Sequence, residues 1–245
     1  MPIDSVFLRW LAEKFPGAQP LPRPIDFESV KVDRAVSRLI ADAFEAAQHQ
    51  PNDPKTRKAY QALCEETKQQ FLFIQEAGIR LRPWKEQGQP YPDSRAMLAS
   101  LREGVLFFFL TKNGHGETED RLDQSENPFL QPSGIELEGE SLVYNDLFRP
   151  VHDVFGHGVA GSSFGPDGEE KAWMAHTHLF SSVARRAMSV ETRAQANWQN
   201  SGPHMRVCGR LLEKGDDGYL PLSRRPYAAQ KMTLLPEWVS EVPQI

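Results

Sequence analysis

Residues 145–158 read Asn-Asp-Leu-Phe-Arg-Pro-Val-His-Asp-Val-Phe-Gly-His-Gly. His152, Asp153 and His157 lie in a run that is otherwise largely apolar and ends in glycine. Imidazoles and carboxylates are costly to bury unless something satisfies them, so a metal ion is the first candidate partner. Five residues advance an α-helix by about 500°, which leaves the two histidines roughly 140° apart. They converge only if the helix ends or bulges between them, and Gly156 and Gly158 allow a left-handed closing turn there. Asp153 and His157, four apart, share a face if the helix continues. Asp153 is then either a ligand or a carboxylate that orients an imidazole through its other ring nitrogen.

Further along, Pro166-Asp167-Gly168 is a turn that opens a helix. Ala172, Trp173, His176, Leu179 and Phe180 form one stripe of it, with His178 off the stripe and exposed. Glu169 and Glu170 sit at its start, where the positive end of the helix dipole favours acids. A following helix puts Ala184, Ala187, Met188, Glu191, Ala194, Gln195 and Trp198 on one face. Glutamate is rarely buried without a partner, so Glu191 demands a cation, an arginine (Arg149, Arg185, Arg186 or Arg193) or a ligand. Two histidines and one carboxylate around an open metal are the facial arrangement of non-haem Fe(II) oxygenases, and His152, His157 and Glu191 fit it. Zinc hydrolases use similar ligands with a separate carboxylate as base; Glu170 or Asp153 would take that role, and His176 would be a third nitrogen ligand. Arg193 and Gln195 flank Glu191 and are candidates for binding a carboxylate substrate. Gln230 and Lys231 are further candidates in an apolar tail that packs back on the body.

His152–His157, His-Asp-Val-Phe-Gly-His, resembles the iron-binding motif of the aromatic amino acid hydroxylases, and Val190-Glu191 resembles the pair that carries their third ligand. The resemblance implies His152, His157 and Glu191 as Fe(II) ligands and a mainly helical catalytic fold around residues 148–198. It also implies a reduced pterin, O₂ and an aromatic substrate. The chain is similar over more of its length to uncharacterised phage-associated and bacterial proteins that share its blocks at Asn145–His157, Gly168–Trp173 and Ala187–Trp198.

The rest of the chain sets the frame. Its 245 residues suffice for a sizeable core, and 40% hydrophobic with 25% charged residues is ordinary globular composition. A net charge of −5 argues against a generic nucleic-acid binder. No apolar run approaches a membrane span, and the first residues lack a signal-peptide pattern. Cys64 and Cys208 read as reduced, buried thiols of a cytoplasmic protein. Helices are predicted at Ser5–Phe15, after Asp33 (Ala35, Val36, Leu39, Ile40, Ala43 and Phe44 inward) and at Thr56–Ala77. They serve as a scaffold or as the arm of a homo-oligomer. Residues 80–92 read as a loop, 105–110 as a buried strand, 112–132 as a polar surface loop with His115 exposed, and 135–144 as a β-excursion. The expected architecture is mainly α with a few short strands (α+β): an N-terminal helical region, 1–90, packed on a metal-binding core, 91–245, in one continuous domain. The expected function is a mononuclear Fe(II) oxygenase acting on a small molecule. The alternatives are a zinc hydrolase on the same histidines and a non-enzymatic helical binding protein with a structural polar core.

Overall fold

A computed structural model describes residues 3–19, 25–114, 122 and 124–242. The protein is mainly helical, with a few short strands in small sheets. The longest helix is central. Helix α3 (Pro54–Glu76) begins where Asp53 accepts from the Thr56 amide and Pro54 occupies the first turn, a position that needs no N–H. It ends before Gly78, whose φ of 87° suits glycine. Tyr60, Leu63, Phe71 and Ile74 make its buried face.

Against α3 pack α5 (Tyr144–His152) and α7 (Ser182–Ser189), while α1 (Ser5–Lys14) and α6 (Pro166–Thr177) pack on the turn that follows α5. One buried cluster draws residues from both ends of the chain: Leu8 and Leu11 of α1, Tyr60 and Phe71 of α3, and Val151, Phe155, Trp173 and Phe180. A second, smaller cluster joins Ile40 and Phe44 of α2 (Arg34–Ala46) to Val190, Ala194 and the tail residues Ala228, Leu235 and Val239. Asp33 caps α2 from its side chain, accepting from the Ala35 and Val36 amides. Ala35 and Leu39 depart from their expected places and are exposed.

The strand β1 (Arg80–Trp84) runs parallel to β2 (Val105–Phe109), with α4 (Ser94–Arg102) as the crossover. The loop expected at 80–92 is therefore half strand. Leu81 and Pro83 point inward and Arg80 and Arg82 outward; proline is tolerated because β1 is an edge strand. The hairpin of β3 (Pro132–Leu137) and β4 (Glu140–Val143) turns through Glu138 and Gly139, both at positive φ. At its far end Asp146 ties the start of α5 to β2, accepting from the Val143 and Thr111 amides. Much of the polar segment 112–132, His115 included, lies outside the described residues. Its described end is not a solvated loop, because Phe129 is buried against Tyr60 and Phe148. A last hairpin, β5 (Arg206–Val207) with β6 (Arg210–Leu211), carries Cys208, which is exposed rather than buried; Cys64 is buried, and both are free thiols. Among the described residues, no helix is long and apolar enough to cross a membrane.

Candidate metal centre

Helix α5 does not stop at His152. It continues through a π turn, Asp153–Gly158. Such turns accommodate one extra residue in a helix and are frequent at functional sites. The π turn solves the angular problem posed by the five-residue spacing: the rings of His152 and His157 lie 5.3 Å apart, nearly perpendicular at 81°. Neither Gly156 nor Gly158 adopts the left-handed conformation expected of it. Their role is close approach. A Cβ at Gly156 would lie 3.0 Å from the Ala172 carbonyl oxygen and 3.2 Å from His152 Cε1, and one at Gly158 would lie 2.7 Å from Leu8 Cδ1. The absence of side chains lets α6 and α1 press against the turn.

Helix α6 brings the carboxylate. Glu169 Oε2 lies 3.9 Å from His152 Nε2, and Glu169 Oε1 lies 3.6 Å from His157 Nε2. One ligand atom from each of these three side chains falls within 4.8 Å of the others, so the cluster could bind a metal ion. Atoms held at roughly 2.1 Å from one ion sit about 3–3.5 Å apart, so only a small inward movement is needed. Gly168 makes the placement of Glu169 feasible: a Cβ there would come within 1.8 Å of the Ser163 carbonyl oxygen. The tight turn also fixes His157. Ser162 Oγ donates to the Gly168 carbonyl at 3.0 Å, which uses its only proton. At 3.1 Å from His157 Nδ1 it must accept, so Nδ1 carries a hydrogen and Nε2 is the ring nitrogen turned toward Glu169.

The electrostatics follow from this crowding. Burial disfavours a charged His157, but the Glu169 carboxylate beside it, helped by Asp153, carries its pKa above the ordinary histidine value. Burial likewise opposes an ionised Glu169, yet His157 and His152 pull its pKa down to about 2. The site holds a carboxylate and asks for positive charge. Asp153, at the head of the π turn, is pushed up by burial while feeling His157, His152 and Glu169.

The other expected site residues lie elsewhere. Glu191 is not in the group with the two histidines; its carboxyl accepts from Tyr60 Oη at 2.5 Å and from Gln195 Nε2 at 2.9 Å. Gln195 is thereby engaged with Glu191. Arg193 is buried, forks onto Glu170 (Nε–Oε2 3.1 Å, Nη2–Oε1 2.5 Å), stacks 3.9 Å over the Trp173 ring and donates to the Val239 carbonyl. Glu170 and Arg193 thus satisfy each other. The reason is a second π turn, Val190–Ala194, between α7 and α8 (Gln195–Ser201). It shifts the phase of the helix by a residue and turns Arg193 and Asn197 inward.

His176, fully buried, has both ring nitrogens engaged: Nδ1 faces His152 Nδ1 at 3.2 Å and Nε2 faces Gln70 Oε1 at 2.8 Å. No nitrogen is left for a third imidazole ligand. His178 is buried, not exposed, and burial drops its pKa to about 4. Gln230 and Lys231 fasten the tail: Lys231 Nζ donates to the Phe44 and Glu45 carbonyls at the end of α2, and the Gln230 carbonyl accepts from Gln124.

Helix α3 was expected only as a scaffold or oligomer arm, yet it supplies Tyr60 to Glu191 and Gln70 to His176. Nothing in its local pattern announced this, because the contacts span 131 and 106 residues. Glu169 did carry a signal. With Ala172, Trp173 and His176 it falls at helical spacing on one stripe of α6, and that stripe begins one turn earlier than the apolar residues alone suggest. A small cleft lined by Glu169, Pro166, Asn197 and Asn200 among others opens beside it. Comparison with known protein families, curated proteins and solved structures yields no match to this chain.

Proposed function

We propose that the protein is a mononuclear non-haem Fe(II) oxygenase whose metal is held by His152, His157 and Glu169. The observation that carries this reading is the convergence of two imidazole Nε2 atoms and one carboxylate at 3.6–3.9 Å on a buried scaffold. Two nitrogen donors and one carboxylate, all from one side, suit Fe(II) with open positions for O₂ and a small-molecule substrate. The likeness of His152–His157 to the aromatic amino acid hydroxylase motif favours iron and makes aromatic compounds the first substrates to try, with a reduced pterin as the electron donor. In this reading the carboxylate ligand is Glu169, in place of Glu191.

The same donor set suits zinc in a hydrolase. Asp153 favours that second reading: it adjoins His152 at the head of the π turn, and burial moves its pKa upward, the direction a general base needs. Glu170 does not serve, being held by Arg193.

The test is metal content after anaerobic purification and reconstitution, followed by O₂ consumption with aromatic amino acids and a reduced pterin. Near-stoichiometric iron that is lost in His157→Ala and Glu169→Ala but kept in Glu191→Gln supports the site. Tight zinc without O₂ uptake moves the assignment to hydrolysis. Failure of the native protein to retain either ion would sink the metal centre altogether.

A further inference from the structure

The hydrogen-bond chain behind His152 has only one consistent placement of protons. Gln70 Nε2 lies 3.2 Å from the Leu179 carbonyl oxygen. An oxygen there would face an oxygen, so the amide nitrogen points to Leu179 and Oε1 points to His176 Nε2 at 2.8 Å. An amide oxygen only accepts, so His176 Nε2 carries the hydrogen. His176 is fully buried, and its ring nitrogens meet only Gln70 and His152, with no carboxylate hydrogen-bonded to either, so a charged ring would go uncompensated. The ring is therefore neutral, and its Nδ1 is bare. The facing His152 Nδ1, 3.2 Å away, must then hold the hydrogen between them. That leaves His152 Nε2, which lies 3.9 Å from Glu169 Oε2, as the ring nitrogen open to a metal.

We infer that Gln70 and His176 are positioning residues for the metal centre, which lock His152 in the tautomer whose Nε2 can bind a metal. The assignment rests on the metal-centre reading above. It parallels the Ser162–Gly168 arrangement behind His157 but reaches the site from α3, across the core. Outer partners that orient a ligating imidazole typically contribute 10–100-fold in metal affinity. His176 acts through His152 and Gln70 through His176; neither touches the ion.

The experiment has two readouts. Long-range ¹H–¹⁵N correlation spectra of histidine-labelled, metal-free protein report which ring nitrogen is protonated. His152 should show Nδ1–H, and His176 should show Nε2–H with a bare Nδ1. Anaerobic titration with Fe(II) alone then compares variants. Gln70→Leu and His176→Leu remove the acceptor chain and should weaken binding roughly 10–100-fold, with His152 shifting toward Nε2–H while His157 stays unchanged. His176→Asn returns an acceptor oxygen at the δ position and should restore most of the affinity. Native protein with His152 protonated on Nε2 overturns the inference, and so do Leu variants that bind Fe(II) as tightly as the native protein. Those outcomes leave the metal centre standing. Absence of Fe(II) and Zn(II) binding in the native protein, with the tautomers as assigned, instead removes the metal centre and with it any positioning role.

Discussion

Tyr60 Oη and Glu191 Oε1 lie 2.5 Å apart, joining the middle of α3 to the second π turn. The same hydroxyl lies 3.1 Å from the Lys231 carbonyl oxygen. A phenol has one proton to donate, so it serves Glu191 when that carboxyl is ionised and is free to serve Lys231 when Glu191 carries its own proton. Burial lifts the Glu191 pKa to about 7, with the bonds from Tyr60 and Gln195 pulling the other way. A carboxyl with a raised folded-state pKa contributes stability that is complete below its ordinary pKa of 4.5 and is lost as pH rises through about 7. The difference in unfolding free energy between the native protein and Glu191→Gln should therefore change by on the order of 3 kcal/mol across that window, in the direction of a shrinking native advantage. Urea unfolding at a series of pH values measures it, and a flat difference would contradict the assignment.

Gly168→Ala should cost more than about 3 kcal/mol, because its Cβ would sit 1.8 Å from the Ser163 carbonyl oxygen and backbone must move. The same displacement breaks the Ser162–Gly168 bond that orients His157. Equilibrium unfolding gives the stability and metal content the second effect. A variant as stable as the native protein would show that the turn at 163–168 is looser than described.

Arg193→Met strips Glu170 of its buried partner. Breaking such a pair from one side typically costs 3–5 kcal/mol. The double variant with Glu170→Gln should recover most of that loss, since no uncompensated charge remains, and should still take up metal. A double-mutant cycle with no coupling energy would mean that the fork seen between these residues is energetically idle.

Chelation should lower thermal stability. An ion that binds only the folded state at 100 times its Kd contributes ~2.7 kcal/mol, which corresponds to roughly 5–10 °C in Tm for a chain of this size. The drop should vanish in Glu169→Ala and persist in Glu191→Gln. An equal response in both variants argues against Glu169 as the ligand.

The helical framework was legible because local chemistry sets it. Asp33, Asp53 and Asp93 cap α2, α3 and α4 from their own side chains, and the buried stripes follow helical spacing. The pair His152 and His157 stood out for a similar reason: polar groups in an apolar run need a common partner. The carboxylate was harder. The helical spacing marks Glu191 as an inward-facing acid, but what meets it comes from α3, and sequence spacing cannot say whether a distant tyrosine or an ion fills the gap. Glu169 looked like an ordinary first-turn acid because the dipole explanation was sufficient by itself. Phase was the other obstacle. Each π turn rotates everything after it by most of one residue's worth of arc, so a stripe counted at 3.6 residues per turn misplaces Arg193 and Asn197 while placing Ala184 and Ala187 correctly.

The π turn at Asp153–Gly158 is also a record of length. A helix with such a turn is an ordinary helix holding one residue of slack, and removal of one residue between His152 and His157 would regularise it. Two histidines four apart on a regular helix already share a face, and His157, Ser162, Gly168 and Glu169 all follow the deletion, so the shortened chain should keep the ligand pair and carry the third donor along with it. The surplus residue therefore leaves the meeting of the two histidines intact while it widens the turn through which Gly156 and Gly158 touch α6 and α1.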